Sequence, residues 1–143
     1  MTGEQFSLKM QEIMGNYDGR KVMSLLDDGY KGTSPLLLEL KKAKDKNKEI
    51  TAGDISKRFN ISTARVAALL KDLEEKEYVV RNKLKNDLRV TIVELTLKGE
   101  EEALKIKNRL TDFISKSIKG IDDSMLETFF KVMEMFVSNV KEM

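Results

Sequence analysis

The residues of this chain best suited to chemistry are basic side chains that alternate along a β-rich segment. Arg81, Lys83 and Lys85 stand at every second position, and Asp87 precedes Arg89 by two residues. An arginine at the tip of a hairpin can enter a narrow groove of negative potential, and alternate cations can contact phosphates. An exposed Asp–Arg contact across a turn and a solvated strand face are the ordinary alternatives.

Other kinds of chemistry lose their central residues. The chain contains no cysteine and no histidine, which removes disulfides, thiolate catalysis, the commonest general base and the usual nitrogen ligand for transition metals. Its acidic residues mostly lie at predicted helix starts or opposite lysines, although catalysis by carboxylates alone stays open in principle. The sequence therefore predicts neither an enzyme nor a bound cofactor or metal.

The charge distribution directs attention to the same part of the chain. The formal net charge is only +2, but residues 36–98 carry 15 Lys or Arg against 10 Asp or Glu, whereas the flanks carry 11 against 14. A local positive excess suits a polyanion, because phosphate neutralisation with counterion release supplies much of the affinity for nucleic acids. An ordinary solvated face is the alternative.

The N-terminal segment lacks the features of a targeting sequence. Residues 1–14 have no basic region followed by an apolar run, and no segment of the sequence reaches the ~20 apolar residues that span a bilayer. At 143 residues the chain is long enough to bury one sizeable core. We therefore expect a soluble, cytoplasmic protein that does not enter a membrane.

The chain ahead of the basic segment has the pattern of short helices. Ser34 is the expected cap of a helix from Pro35 to about Lys44, because proline fits a first turn, where no N–H is needed. Residues 45–49 are polar and lead to a short strand expected at Ile50. Thr51 and Asp54 then have the spacing of a capping box and should open a second helix.

The second helix should end near Asn60, since asparagine tolerates the left-handed conformation of a tight turn. Ser62 is the expected cap of a third helix, from Thr63 to about Lys76. Its inward face is predicted to consist of four apolar residues: Val66, Leu69, Leu70 and Leu73. Its outward face carries small and charged residues: Ala64, Ala68, Lys71 and Glu75, with Arg65 at the edge. β-rich runs around a polar turn at residues 85–87 then indicate a hairpin.

Longer helices are predicted on either side of this unit. The first runs from about Gln5 to Tyr30, and another is capped by Thr96 and runs from Leu97 to about Lys119. The last opens with Asp122, Asp123 and Ser124, with Glu127 at the spacing of a capping box. It carries an apolar stripe at helical spacing, formed by Leu126, Phe129, Phe130, Met133, Phe136, Val137 and Val140.

The predicted fold is mainly α (α+β), a winged helix-turn-helix with a two-stranded wing at residues 35–96. The N-terminal helix at residues 1–34 and the C-terminal helices at residues 97–143 flank it. Because the winged helix already has a core of its own, the flanking helices are predicted to bury their apolar faces in a dimer interface. A core formed within one chain is the alternative.

These features resemble the MarR-type (multiple antibiotic resistance regulator) winged-helix transcription factors. The element order matches over nearly the whole chain, and residue-level motifs match between residues 51 and 96. The matching motifs are Asp54-Ile55-Ser56, Ile61-Ser62 with Val66, Leu73-Glu74, and Asp87-x-Arg89 with Leu95-Thr96. The last of them is the most specific.

The resemblance implies roles for several residues. In that family the arginine of Asp-x-Arg enters the DNA minor groove and the aspartate helps to hold the wing tip, so these roles fall to Arg89 and Asp87. The helix after Ser62 resembles the recognition helix, and we predict that it meets DNA through Ser62, Thr63, Ala64, Arg65 and Ala68. Arginine can grip guanine bidentately, and alanines permit close approach to thymine methyls.

The recognition helix departs from the family pattern at two positions, and the preceding helix ends in two cations. The family often has arginine where this chain has Thr63 and Ala68, so a different operator is expected. Lys57 and Arg58 end the preceding helix, where they suit DNA contact and stabilisation of the helix C-terminus equally well.

The resemblance further implies a homodimeric repressor of transcription that binds a pseudo-palindromic operator in double-stranded DNA and releases it when a small organic molecule binds. Met10, Met14, Tyr17 and Tyr30 are candidates to line such a pocket or to fill a core, so no effector residue is assigned. The composition excludes peroxide sensing by cysteine and zinc sensing by histidine. The alternative function is a winged-helix protein-interaction or architectural module without a specific operator.

Overall fold

The computed structural model of this protein describes residues 1–16 and 32–143. The first helix, α1, runs from Gly3 to Asn16. The predicted continuation of this helix to Tyr30 lies outside the described residues, as do Tyr17 and Tyr30 themselves. Within the described ranges, no helix is long and apolar enough to cross a membrane.

The second helix, α2 (Ser34–Asp45), supplies one wall of the core through Leu36, Leu37, Leu40 and Ala43. The predicted cap at Ser34 is wrong, because Thr33 holds the cap position and its side chain makes no capping hydrogen bond. The first helical hydrogen bond runs from the Leu37 N–H to the Thr33 carbonyl at 3.0 Å, which places Ser34 inside the helix. Gly32, with φ of 65°, turns the chain just before this start.

The short strand β1 (Ile50–Thr51) leads into α3 (Ala52–Phe59) through the predicted capping box. The Thr51 hydroxyl accepts from the Asp54 N–H at 3.1 Å, and the Asp54 carboxylate accepts from the Thr51 N–H at 2.9 Å. The backbone hydrogen bond from Thr51 lowers the pKa of Asp54 below its ordinary value. The helix ends at Asn60, whose φ of 49° and ψ of 50° are left-handed, as predicted.

The third helix of this unit, α4 (Thr63–Glu75), follows a tight turn after Asn60. Ser62 caps it as predicted, since its hydroxyl accepts from the Arg65 N–H at 3.1 Å. Val66, Leu70 and Leu73 are buried on the inward face. This face fixes which residues of α4 remain available on the outside.

A three-stranded antiparallel sheet completes the winged helix, with β2 (Val79–Leu84) and β3 (Asp87–Leu95) forming the wing. The strand order is β1-β3-β2, so β1 extends the predicted two-stranded wing by a third strand. The predicted turn at residues 85–87 is one residue shorter, because Asp87 already pairs with Leu84 as the first residue of β3. An irregularity in register lies between Lys83 and Leu84.

The long helix α5 (Leu97–Ser117) starts against the base of the wing. The Thr96 hydroxyl accepts from the Gly99 N–H at 3.0 Å and donates to the Glu77 carbonyl at 2.6 Å. Gly99 is buried, and a Cβ at this position would overlap the carbonyl oxygen of Tyr78. Glycine is therefore required here for close packing.

The last helix, α6 (Asp123–Lys141), is capped by Asp122, whose carboxylate accepts from the Ser124 N–H at 3.4 Å and from its hydroxyl at 3.0 Å. The predicted capping box with Glu127 is therefore not the cap of this helix. Asp122 caps it instead, through hydrogen bonds to the residue two positions later. Asp122 takes the cap because its ψ of 140° is extended, whereas Asp123 and Ser124 are already helical.

The described chain divides into two compact units, Met1–Thr111 and Asp112–Met143, with the boundary inside α5. The buried core belongs to the first unit and contains apolar side chains from α2, β1, α3, α4, β2, β3 and the first half of α5. Leu70 and Leu73 at its centre are 1% and 0% exposed. In the second unit, no residue of α6 is buried.

Candidate nucleic-acid interface

The tip of the wing presents an arginine held by its neighbouring aspartate. One carboxylate oxygen of Asp87, Oδ1, accepts from the backbone N–H of Arg89 at 3.0 Å and from its Nε at 3.2 Å. The side chain of Arg89 is nevertheless 93% exposed, while that of Asp87 is 40% exposed. The aspartate thus orients the guanidinium without covering it, and the remaining N–H groups point to solvent.

The outward face of α4 carries the predicted base-reading residues. Ser62, Thr63, Ala64, Arg65 and Ala68 are all exposed. The Ser62 hydroxyl already accepts the hydrogen bond that caps the helix, and its own proton remains available for donation to DNA. Within the described ranges, Arg65 forms no ion pair, and it lies exposed in the first turn of the helix. The N-terminal N–H groups of a helix also favour phosphate, so this end suits a polyanion.

The wing and α4 are brought side by side. A groove of about 220 Å³ separates them, with Thr63, Ala67 and Leu70 on the helix side and Arg81 and Thr91 on the sheet side. Thr63, at the start of α4, therefore lines the same groove as Arg81 and Thr91 of the sheet.

Arg81, which we predicted to contact phosphate, is engaged by a residue that the sequence did not single out for this role. Its Nε donates to Oε1 of Glu74 at 2.8 Å, and its terminal NH2 donates to Oε2 at 2.5 Å. This hydrogen bonding lowers the pKa of Glu74 and raises that of Arg81. The guanidinium of Arg81 is thus hydrogen-bonded to α4, and its contact with DNA stays a prediction.

The three alternate cations of the wing do not share one strand face. Lys83 lies in β2 and donates to the Thr91 hydroxyl across the hairpin at 2.9 Å. Lys85 lies beyond the strand, in the turn. The irregularity between Lys83 and Leu84 breaks the alternation on which the prediction depended. Lys83 and Lys85 are both exposed, so each remains a separate candidate for phosphate contact.

The basic pair at the end of α3 is divided between two environments. The guanidinium of Arg58 pairs with Oε1 of Glu39 in α2 at 2.6 Å. Lys57 is exposed and lines a groove between α2 and α3 of about 410 Å³. The same groove contains further lysines together with Glu49 and Asp54, so its charge is mixed. Of these two cations, Arg58 thus connects α3 to α2 through its ion pair with Glu39.

Glu74 is the residue of this site that sequence reasoning missed. It lies seven positions from Arg81 in a different element, so no helical or strand periodicity links the two. The motif Leu73-Glu74 supports the family resemblance but implies no role for Glu74. Among the described residues, no group of three or more Asp and Glu side chains is arranged to hold a metal ion.

A second exposed surface lies on α6. Phe129 and Phe130 pack edge to face with their ring centroids 5.7 Å apart, yet they are 56% and 62% exposed. Phe136, Val137 and Val140 continue this apolar face and are also exposed. In α1, Met10 is exposed as well, which does not distinguish a pocket from an interface. Large apolar faces of this kind mark interaction sites.

Comparison with known proteins relates the chain to winged-helix regulators. Residues 33–89 match the sequence model of a family described as the MarR family. The uncharacterized HTH-type transcriptional regulator YdgJ of Bacillus subtilis (strain 168) is 28% identical over 136 residues, which cover 94% of this chain and 83% of that protein.

Solved structures extend the likeness in fold. Streptococcus pneumoniae FabT in complex with DNA is 18% identical, covers 99% of both chains and superposes with a TM-score of 0.69. The heme sensor protein PefR of Streptococcus agalactiae, in complex with heme and carbon monoxide, is 22% identical, covers 93% of both chains and has a TM-score of 0.66. At these identities the likeness concerns the fold alone.

Proposed function

We infer that this chain, whose residues 33–89 belong to the MarR family of winged-helix proteins, is a dimeric, sequence-specific DNA-binding transcription regulator. The observation that carries the inference is the wing tip, where Asp87 holds an almost fully exposed Arg89. The relative YdgJ is described as a transcriptional regulator, and FabT was solved in complex with DNA. We accordingly propose a regulator rather than an enzyme.

In the proposed complex, α4 enters the major groove and the wing reaches the adjacent minor groove. Thr63 and Arg65 are positioned on the first turn of α4, from which side chains can reach base edges. The guanidinium of Arg89 suits a narrow minor groove, where negative potential is concentrated. Ala64 and Ala68 provide small surfaces that allow α4 to approach the bases closely.

The proposal divides the chain by task. Residues 35–96 read DNA, and residues 1–34 and 97–143 hold two copies together. The exposed apolar face of α6 supports this division, since a second copy of the same helix offers a complementary apolar surface. Two winged helices related by a two-fold axis would read half-sites about one helical turn apart in a pseudo-palindrome.

We further propose that the protein is a repressor that releases DNA when a small organic ligand binds. The fold neighbour PefR is described as a heme sensor, which shows that this architecture accommodates a ligand in that protein. The present chain has no cysteine or histidine, so its own ligand would be held by hydrogen bonds, charge and apolar contact. A regulator of bacterial type acts where the genome lies, and the proposal therefore includes a cytoplasmic location.

The test is selection of DNA from a random-sequence pool by the purified protein, followed by measurement of the selected duplex with Arg89→Ala. Loss of a groove-inserted guanidinium should weaken binding at least tenfold, or about 1.4 kcal/mol, while the dimer stays intact. Arg109→Ala, which removes an exposed arginine of α5, should bind as the wild type does. Unchanged binding by Arg89→Ala would show the wing assignment to be wrong.

An interaction or architectural module is the second candidate, favoured by the presence of Thr63 and Ala68 where the family often has arginine. Such a module would recover no enriched motif from the random pool at moderate salt. A single enriched inverted repeat would instead support the regulator.

A further inference from the structure

We propose that Glu74 and Arg81 form a clamp that sets the angle between the recognition helix α4 and the wing, and that Glu74 is thereby a positioning residue for DNA binding. This inference rests on the DNA-binding function proposed above. It gives Arg81 a role different from phosphate contact. It also gives a role to a carboxylate within a predominantly basic surface.

The clamp joins two elements through a geometry that resists rotation. The two N–H groups of Arg81 meet the two oxygens of Glu74 at 2.8 and 2.5 Å. Parallel bonds between a planar guanidinium and a planar carboxylate fix orientation as well as distance, which a single hydrogen bond does not. The two side chains are 36% and 31% exposed, so the pair is partly shielded from solvent.

The position of the clamp makes it effective. Glu74 lies near the C-terminal end of α4, about 16 Å along the helix from Thr63. Arg81 lies about 13 Å along β2 from the turn of the wing. A rotation of roughly 10° at the clamp would therefore move either DNA-facing end by about 2 to 3 Å. Binding constellations require placement within about 0.5 Å.

The competing role for Arg81 makes the opposite prediction for Glu74. If Arg81 contacts a phosphate, the Glu74 carboxylate competes with DNA for the guanidinium, and its removal should strengthen binding. If Glu74 positions the wing, its removal should weaken binding even though the protein loses a negative charge. The sign of the effect therefore separates the two roles.

The experiment uses the full chain and the duplex that the wild-type protein selects from a random pool. Glu74→Gln should bind this duplex roughly five- to tenfold more weakly, at a temperature where unfolding measurements show every variant to be folded. The dependence of log Kd on log salt should keep its slope, because no phosphate contact is lost. Protection of the minor groove from hydroxyl radicals beneath the wing should decrease, an effect that a merely stabilising ion pair would not produce.

Glu75→Gln is the matched control, because Glu75 is the neighbouring exposed glutamate of α4 and the substitution removes the same charge. It should bind DNA as the wild type does or slightly more tightly. Exchange of the two residues, Glu74→Arg with Arg81→Glu, should recover part of the affinity that Glu74→Gln loses, since the pair is restored in reverse.

Three results would overturn the clamp. Glu74→Gln could bind as tightly as Glu75→Gln, the exchanged pair could recover no affinity, or Arg81→Gln could lower the salt slope by about 0.9, the value for one lost phosphate contact. If the wild-type protein selects no motif at all, the proposed function fails and the clamp fails with it. A selected motif with unaffected Glu74→Gln binding overturns the clamp alone.

Discussion

The winged helix and the last helix treat their apolar side chains in opposite ways. Every buried hydrophobic residue of the described chain lies between Leu36 and Ile106, whereas α6 buries none. Leu73 in the winged helix is 0% exposed, and Phe136 in α6 is 56% exposed. The first region has the contacts that stabilise it within one chain, and the second is the surface that we propose a second copy covers.

This difference separates two kinds of stability. The winged helix should unfold with a free energy that does not depend on protein concentration, because its core is complete. The dimer interface that we propose for α6 should be populated according to mass action, so its contribution to stability should grow with protein concentration. Substitutions in the two regions therefore allow the comparison to be tested directly.

The largest effect is expected for Phe136→Ser in α6. A buried phenylalanine contributes about 1.5 to 3 kcal/mol, and a two-fold dimer contains the residue twice, so dimerisation should weaken by roughly 3 to 6 kcal/mol. The dimer dissociation constant should consequently rise at least about 100-fold. Sedimentation equilibrium measures this change.

Met135→Ser provides the control for this substitution. Met135 is adjacent in sequence and is 67% exposed, but at about 100° per residue it faces away from the apolar stripe. Its replacement should leave the dissociation constant within about twofold of the wild-type value. Equal effects of the two substitutions would contradict an interface confined to the stripe.

The next effect in size is expected for Leu73→Ala in α4. Truncation of this fully buried side chain leaves a cavity and should lower the free energy of unfolding by about 3 kcal/mol. Urea unfolding should give the same loss at low and high protein concentration. A loss that grows with concentration would mean that the core of the winged helix is shared with a second copy.

The smallest effect concerns the capping box of α3. Asp54→Ala should cost about 0.5 to 1 kcal/mol at pH 7, a low value for a lost cap because the carboxylate is exposed. The pKa of Asp54 is lowered in the folded chain, so its stabilisation is complete above the pKa of the unfolded state and is lost as pH falls through the folded value. The difference in stability between the wild type and Asp54→Ala should therefore begin to shrink as pH falls below about 4.

The pH dependence of unfolding that Asp54 produces can be compared with the pH dependence of dimerisation. Dimerisation through α6 rests on apolar contact and should not follow the titration of Asp54. Urea unfolding from pH 7 to pH 3 and sedimentation over the same range separate the two. A shrinking difference in stability without a parallel change in dimerisation is the expected outcome.

Rules that act within a few residues predicted much of the fold. The cap at Ser62, the capping box at Thr51 and the left-handed Asn60 are all confirmed, because each depends on one side chain and the adjacent backbone. The wrong predictions, a cap at Ser34 and a capping box with Glu127, are equally local, because in each case a residue one or two positions earlier is the cap. Local rules indicate that a helix starts nearby more reliably than they choose between adjacent candidates.

The candidate site was less accessible to such rules. Arg89 and Asp87 are two residues apart, and their contact was predictable from the motif. The partnership of Arg81 with Glu74 depends on how β2 packs beside α4, which no spacing encodes. The break after Lys83 likewise arises from the pairing of two strands rather than from either alone. The partner that we propose for the α6 stripe, a second copy of the chain, cannot be predicted from spacing within one sequence.

Gly99 lets the start of α5 pack in direct contact with the base of the wing. The Gly99 backbone lies directly against the Tyr78 carbonyl, and Thr96 is hydrogen-bonded to residues on both sides of this contact, so we expect the first turn of α5 and the base of the wing to move together. The same closeness leaves no room for a larger residue at this position. Substitutions that change the angle between α5 and the wing are therefore expected at other positions of α5 or the wing rather than at Gly99.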